Sequence, residues 1–112
     1  MSYVPDAGDL VTLDFDPQSG HEQAGHRPAI VLTPKSYNQK SSLVIVAPIT
    51  NSVKGYPLEV QLPAGLRTTG VVLTDQVKSV DWKARGMKYR EKSPVSTLEK
   101  VREILRVLLL AR

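Results

Sequence analysis

The sequence has 112 residues, of which 41% are hydrophobic and 23% charged, enough for one domain with its own core and too apolar for a disordered chain. It has no cysteine, which excludes disulfide scaffolds, thiolate zinc sites, iron–sulfur clusters and cysteine nucleophiles together. Fifteen Lys and Arg against eleven Asp and Glu leave a formal charge of +4, and the window from Lys78 to Lys92 holds six basic and two acidic residues, hence the whole excess.

Such a local patch is either a phosphate footprint or a solvated strand face that happens to be basic. No apolar run approaches the roughly 18 residues of a membrane span, and the first residues lack a basic start and an apolar stretch. A cytoplasmic location without membrane attachment is expected. No repeat or linker divides the chain, so residues 1–112 read as one domain.

Taken in order, Asp9 to Phe15 alternates apolar and polar residues as a half-buried strand does. Pro28 to Leu32 and Leu43 to Ile49 are nearly all apolar, as in strands buried on both faces. Pro48 inside the third run has no N–H for a ladder, so it predicts an edge or bulge, with the residues after it aimed out of the sheet. Leu58 to Leu62 alternates, Gly70 to Leu73 is a short buried run, and Met87 to Glu91 alternates again. On that last strand Lys88, Arg90 and Lys92 fall on one side. Ser96-Thr97-Leu98-Glu99 fits a capping box with Ser96 as N-cap, and Leu98, Val101, Leu105 and Leu108 then share one helical face. Val107 to Leu110 is apolar all round, more than one packed face needs, which points to a subunit contact. The pattern predicts a mainly β, small α+β fold, with about six short strands in a compact barrel and a C-terminal helix.

No nucleotide-binding glycine loop, nucleophile elbow, calcium loop or His-Glu zinc motif is present. The densest reactive set is the loop Asp16 to Arg27, with Asp16, His21, Glu22, His26 and Arg27. A carboxylate, imidazole and guanidinium are the types that acid–base work on a phosphate requires. A polar loop without a role has the same composition.

The string His21 to Leu32 (HEQAGHRPAIVL), with Gly8-Asp9-Leu10 and Asp14-Phe15-Asp16-Pro17 before it, resembles the MazF/PemK family of toxin endoribonucleases. The likeness continues through Pro48-Ile49-Thr50, Lys54-Gly55-Tyr56-Pro57, Gly70 to Leu73, Asp75 to Ser79 and Trp82 to Gly86, in order and over nearly the whole chain. It implies an SH3-like β-barrel acting as a homodimer. It also implies cleavage of single-stranded RNA without metal or cofactor, by attack of a 2′-hydroxyl on the adjacent phosphate. The products are a 2′,3′-cyclic phosphate and a 5′-hydroxyl. A MazE-like antitoxin with an acidic tail is the implied partner.

By position in the family, Arg27 and Thr50 form the central catalytic pair, with Glu22 a further active-site residue. A guanidinium fork suits two oxygens of a phosphorane gaining negative charge, a threonine hydroxyl can bond a phosphate oxygen, and Glu22 can take the 2′-hydroxyl proton if burial raises its pKa. His26 shapes the site, and no role is assigned to His21. Asp75, Gln76, Lys78 and Ser79 match the stretch beside the RNA groove, with Lys78 on phosphate. Phe15 is either a base-stacking platform or a core residue; Trp82 is core or dimer packing. Two alternatives stay open: a same-fold toxin that binds DNA gyrase without catalysis, and a non-enzymatic RNA-binding module. The gyrase binders use a tryptophan near the C-terminus, whereas this chain ends Leu-Leu-Leu-Ala-Arg with its one tryptophan at position 82.

Overall fold

The computed structural model describes residues 2–15 and 25–112. Among these, seven strands form one antiparallel, strongly bent sheet: β1 Asp9–Asp14, β2 His26–Val31, β3 Leu43–Thr50, β4 Glu59–Gln61, β5 Val71–Leu73, β6 Lys78–Asp81 and β7 Lys88–Lys92. Two helices, α1 Lys35–Ser41 and α2 Val95–Leu110, complete it. The strand order is β4-β5-β3-β2-β1-β7, with β6 also paired to β3. β4 and β7 are not laddered together, but the β4–β5 connection reaches β7: the Glu91 carboxylate accepts from the Arg67 N–H (3.1 Å), the Thr68 N–H (2.7 Å) and the Thr68 hydroxyl (2.8 Å). The small barrel expected from sequence is therefore present, with seven strands rather than about six.

Both faces of the sheet are buried, which explains the unbroken apolar runs of β2 and β3. Leu10, Ile30, Ala47, Ile49 and Val72 line one face under Leu98 and Val101 of α2. Val11, Leu13, Ala29, Val44 and Val46 line the other, packed with Phe15, Val80 and Trp82. Trp82 is thus a core residue; its Nε1 donates to the Asn38 carbonyl at 2.9 Å, and the Lys83 ammonium lies 5.2 Å from its ring centre.

Pro48 lies at neither an edge nor a bulge. β3 pairs with β6 up to Val46↔Lys78 and with β5 from Ile49↔Val72 onward, so the strand changes partner at the proline. The Ile45 C=O and N–H face the β2 side, toward Leu32 N–H and Thr33 Oγ1. By alternation Pro48 faces the opposite side, where the change of partner asks for no donor. The residues after it are held in the sheet, since Ile49 and Thr50 pair with Val72 and Val71.

Two other expectations are corrected. α2 starts after Pro94, which occupies the N-cap with no side-chain capping bond, and Ser96 lies inside the first turn. Ser93 is tied to the Gly8 carbonyl through its N–H (2.9 Å) and hydroxyl (2.7 Å), and this delivers the chain to helix geometry before Ser96. In β7, the register passes from Leu10↔Glu91 to Val11↔Tyr89. That bulge at Arg90 puts Lys92 opposite Asp9 and Lys88 opposite Thr12, so the two lysines stand on opposite faces. Of the anticipated α2 face, Leu98 and Val101 are buried, Leu105 is partly buried and Leu108 is exposed with the rest of Val107–110. No helix among the described residues is long and apolar enough to cross a membrane.

Candidate active site

Thr50 ends β3 and is 5% exposed. Its backbone is fixed by β5 and by the touching Gly70, and its Oγ1 accepts the Ser52 N–H at 3.0 Å. Arg27 lies near the start of β2, exposed, opposite Leu13 of β1. The β2–β3 register runs Val31↔Val46, Ile30↔Ala47, Ala29↔Pro48. The ladder ends there; Arg27 and Thr50 each lie two residues beyond its last pair, and a two-residue step puts both on the face of Ala29 and Pro48. The two residues that the family resemblance pairs therefore share a face of the sheet, on adjacent strands.

Period-two alternation sorts the remaining expected residues. Lys78 pairs with Val46 and shares the Arg27–Thr50 face, whereas Ser79 pairs with Ile45 and takes the opposite one. His26 pairs with Asp14 and points away from Arg27. Phe15 is 2% exposed within the core, so its ring is packing and offers no face for a base. Glu22, like His21 and Asp16, lies outside the described residues.

Beside Thr50 opens a groove of about 560 Å³. Asp75 and Gln76 line it from the 3-10 turn Thr74–Gln76 between β5 and β6, Lys54 and Tyr56 from the β3–β4 connection, and Glu59 from the start of β4. Tyr56 is 65% exposed. The Glu59 carboxylate accepts the N–H groups of Lys54 (3.1 Å) and Gly55 (2.9 Å). Lys54 and Tyr56 belong to the family-like Lys-Gly-Tyr-Pro string, whereas Glu59 and Ser52 carry no sequence signal beyond proximity to that turn. Among the described residues, no group of three His, Asp or Glu is placed to hold a metal ion. The arrangement offers a cation, a hydroxyl and a groove of mixed polar and apolar lining, which suits binding and polarising a phosphodiester.

The family model described as PemK-like, MazF-like toxin of type II toxin–antitoxin systems matches residues 6–109. The chain belongs to this family. It is 57% identical over 84 residues to the endoribonuclease toxin MazF of Escherichia coli K12, covering 75% of each chain. Among solved structures, MazF from Deinococcus radiodurans superposes with a TM-score of 0.93 at 50% identity, covering 96% of this chain and 98% of that one. A MazE–MazF complex from the same organism matches at a TM-score of 0.86 and 43% identity, over 99% and 100% of the chains. At this identity the MazF/PemK-type chain is an endoribonuclease.

Proposed function

We propose that this MazF/PemK-family protein is a toxin that cleaves single-stranded RNA at short sequence motifs and is neutralised by a MazE-like antitoxin. The observation that supports the reading is that strand alternation puts Arg27 and Thr50 on one face of the sheet, with Thr50 lining a groove together with Asp75 and Gln76. A 2′-hydroxyl attacks its neighbouring phosphorus, and its proton passes to a base, for which Glu22 is the candidate. The P–O5′ bond breaks and O5′ takes a proton from water, leaving a 2′,3′-cyclic phosphate and a 5′-hydroxyl. Arg27 stabilises the phosphorane oxygens and the Thr50 hydroxyl bonds one of them. Because the nucleophile belongs to the substrate, DNA is excluded, and a regular duplex cannot bring the three reacting centres into line. No step calls on a metal.

MazF of Deinococcus radiodurans has been solved with MazE, which supports an antitoxin partner here; an acidic tail would match the basic chain. A homodimer, to which the exposed Val107–110 segment contributes, completes the reading. The test is digestion of a long transcript in EDTA with the ends mapped by primer extension. Cyclic phosphate and 5′-hydroxyl ends at a recurring motif are expected; 5′-phosphate ends or no cleavage refute the mechanism.

A further inference from the structure

Glu59 puts a carboxylate into a groove read here as taking a polyanion. Alone it would repel phosphate, but its two oxygens are committed. Oε2 accepts the Lys54 N–H at 3.1 Å, Oε1 accepts the Gly55 N–H at 2.9 Å, and the Glu59 N–H itself donates to the Tyr56 carbonyl at 3.1 Å. Gly55 has φ +76°, so consecutive N–H groups converge as an anion-binding nest already filled from within the chain. The Lys54–Glu59 segment is thereby closed on itself, and it presents Lys54 and the exposed ring of Tyr56 to the groove.

We propose that Glu59 is a positioning residue for RNA binding: its carboxylate holds the Lys54–Tyr56 wall in its substrate-ready shape. This rests on the reading that the groove takes RNA. A loop ordered beforehand loses less conformational freedom when substrate binds. Glu59 reaches no reacting atom, so the effect falls on binding and not on the chemical step.

Two physical roles give opposite signs. As a bare negative charge in the groove, Glu59 would weaken RNA binding, and its removal would lower KM. As the holder of the wall, its removal raises KM. Steady-state cleavage of a short single-stranded oligonucleotide carrying the mapped motif is measured for the wild type, Glu59→Ala, Glu59→Gln and Thr50→Ala, with thermal melting alongside. Glu59→Ala is expected to raise KM about 10-fold with kcat within about twofold. Glu59→Gln keeps one acceptor oxygen and is expected to raise KM about threefold. An unchanged or lowered KM in either variant overturns the proposal, as does a loss confined to kcat. Glu59→Gln decides alone if Glu59→Ala does not fold. Thr50→Ala separates the two levels: if it loses kcat while the Glu59 variants keep KM, only the positioning role fails. If it keeps full kcat, the reading of the groove fails and the proposal with it.

Discussion

Gly70 and Thr50 meet backbone to backbone: a Cβ added to Gly70 would lie 2.2 Å from the Thr50 carbonyl oxygen and 2.8 Å from its carbonyl carbon. Gly70 also holds φ +112°, a conformation that L side chains rarely adopt. The β5 strand that follows therefore packs against the end of β3 only with a glycine there. Gly70→Ala is expected to destabilise the protein by about 2–3 kcal/mol and to move Thr50, lowering cleavage beyond the loss of folded protein. Urea unfolding at pH 7 with rates normalised to folded fraction checks this; wild-type stability would show that the contact relaxes freely.

The Arg27–Thr50 pair should act on rate and not on folding. Arg27 is exposed at the start of β2, so Arg27→Ala should shift unfolding free energy by less than about 0.5 kcal/mol. Loss of its donors from the phosphorane should lower kcat about 100-fold, or about 2.7 kcal/mol. Arg27→Lys keeps charge without the fork and should recover only part of this. Single-turnover cleavage of the three proteins is the measurement, and equal rates would remove Arg27 from the reaction.

Asn38 shows what the sequence hid. Lys35–Ser41 has no apolar stripe, so nothing in its pattern marked a helix. Its one buried residue, Asn38, donates from Nδ2 to the carbonyls of Pro5 and Thr33 (both 2.8 Å) and accepts the Thr33 hydroxyl at 2.7 Å. Tertiary bonds, and not helix propensity, explain the element. β6 was invisible for a similar reason: Val80 is its one buried residue, and four residues are too few to show a period. The long apolar runs, by contrast, mark β2 and β3 to within two residues, but Arg27 and Thr50 fall just outside the runs and belong to the strands, because polar residues at strand ends leave no apolar signal. The opposition of Lys88 and Lys92 was not legible, because a bulge is a property of pairing and leaves no mark in one strand's alternation. Asn38→Ala should cost about 3 kcal/mol, through two carbonyls and a hydroxyl losing their partner, and urea unfolding measures it.

Stability should fall on both sides of neutrality. The Lys35 N–H holds the Asp6 carboxyl below its ordinary value, aided by the Ala7 N–H and Lys92 against the opposing cost of desolvation. At Glu91 desolvation pushes upward, but the Thr68 hydroxyl and the N–H groups of Arg67 and Thr68 outweigh it and the net shift is down. For both, the unfolded chain binds protons more readily, so their contribution is present at neutral pH. It is lost as pH falls through the lowered folded values, beneath about pH 4. Tyr3 runs the other way: burial first, then its 2.5 Å hydrogen bond to Asp9, push the phenol far above its ordinary range. Its contribution is present below about pH 10 and fades above that as the unfolded phenol ionises. Urea midpoints from pH 3 to 11 should trace this dome, with Tyr3→Phe flattening the alkaline limb and Glu91→Gln the acid one.

The basic window is expected to divide into three roles. Lys92 is structural: its ammonium contacts the Asp9 carboxylate at 2.9 Å and the Ala7 carbonyl at 2.9 Å, and Asp9 is 4% exposed. Lys92→Ala leaves that buried carboxylate short of a partner and should cost about 1–2 kcal/mol. Lys88 faces with Thr12, on the side of the sheet away from Arg27, whereas Lys78 shares the Arg27–Thr50 face. RNA binding to a cleavage-defective Arg27→Ala background, measured against salt, should therefore keep its slope in Lys88→Ala. It should lose about 0.7 in Lys78→Ala, the value of one phosphate contact on a single strand. A slope reduced by Lys88→Ala and untouched by Lys78→Ala would put the RNA on the other face of the sheet, away from Thr50.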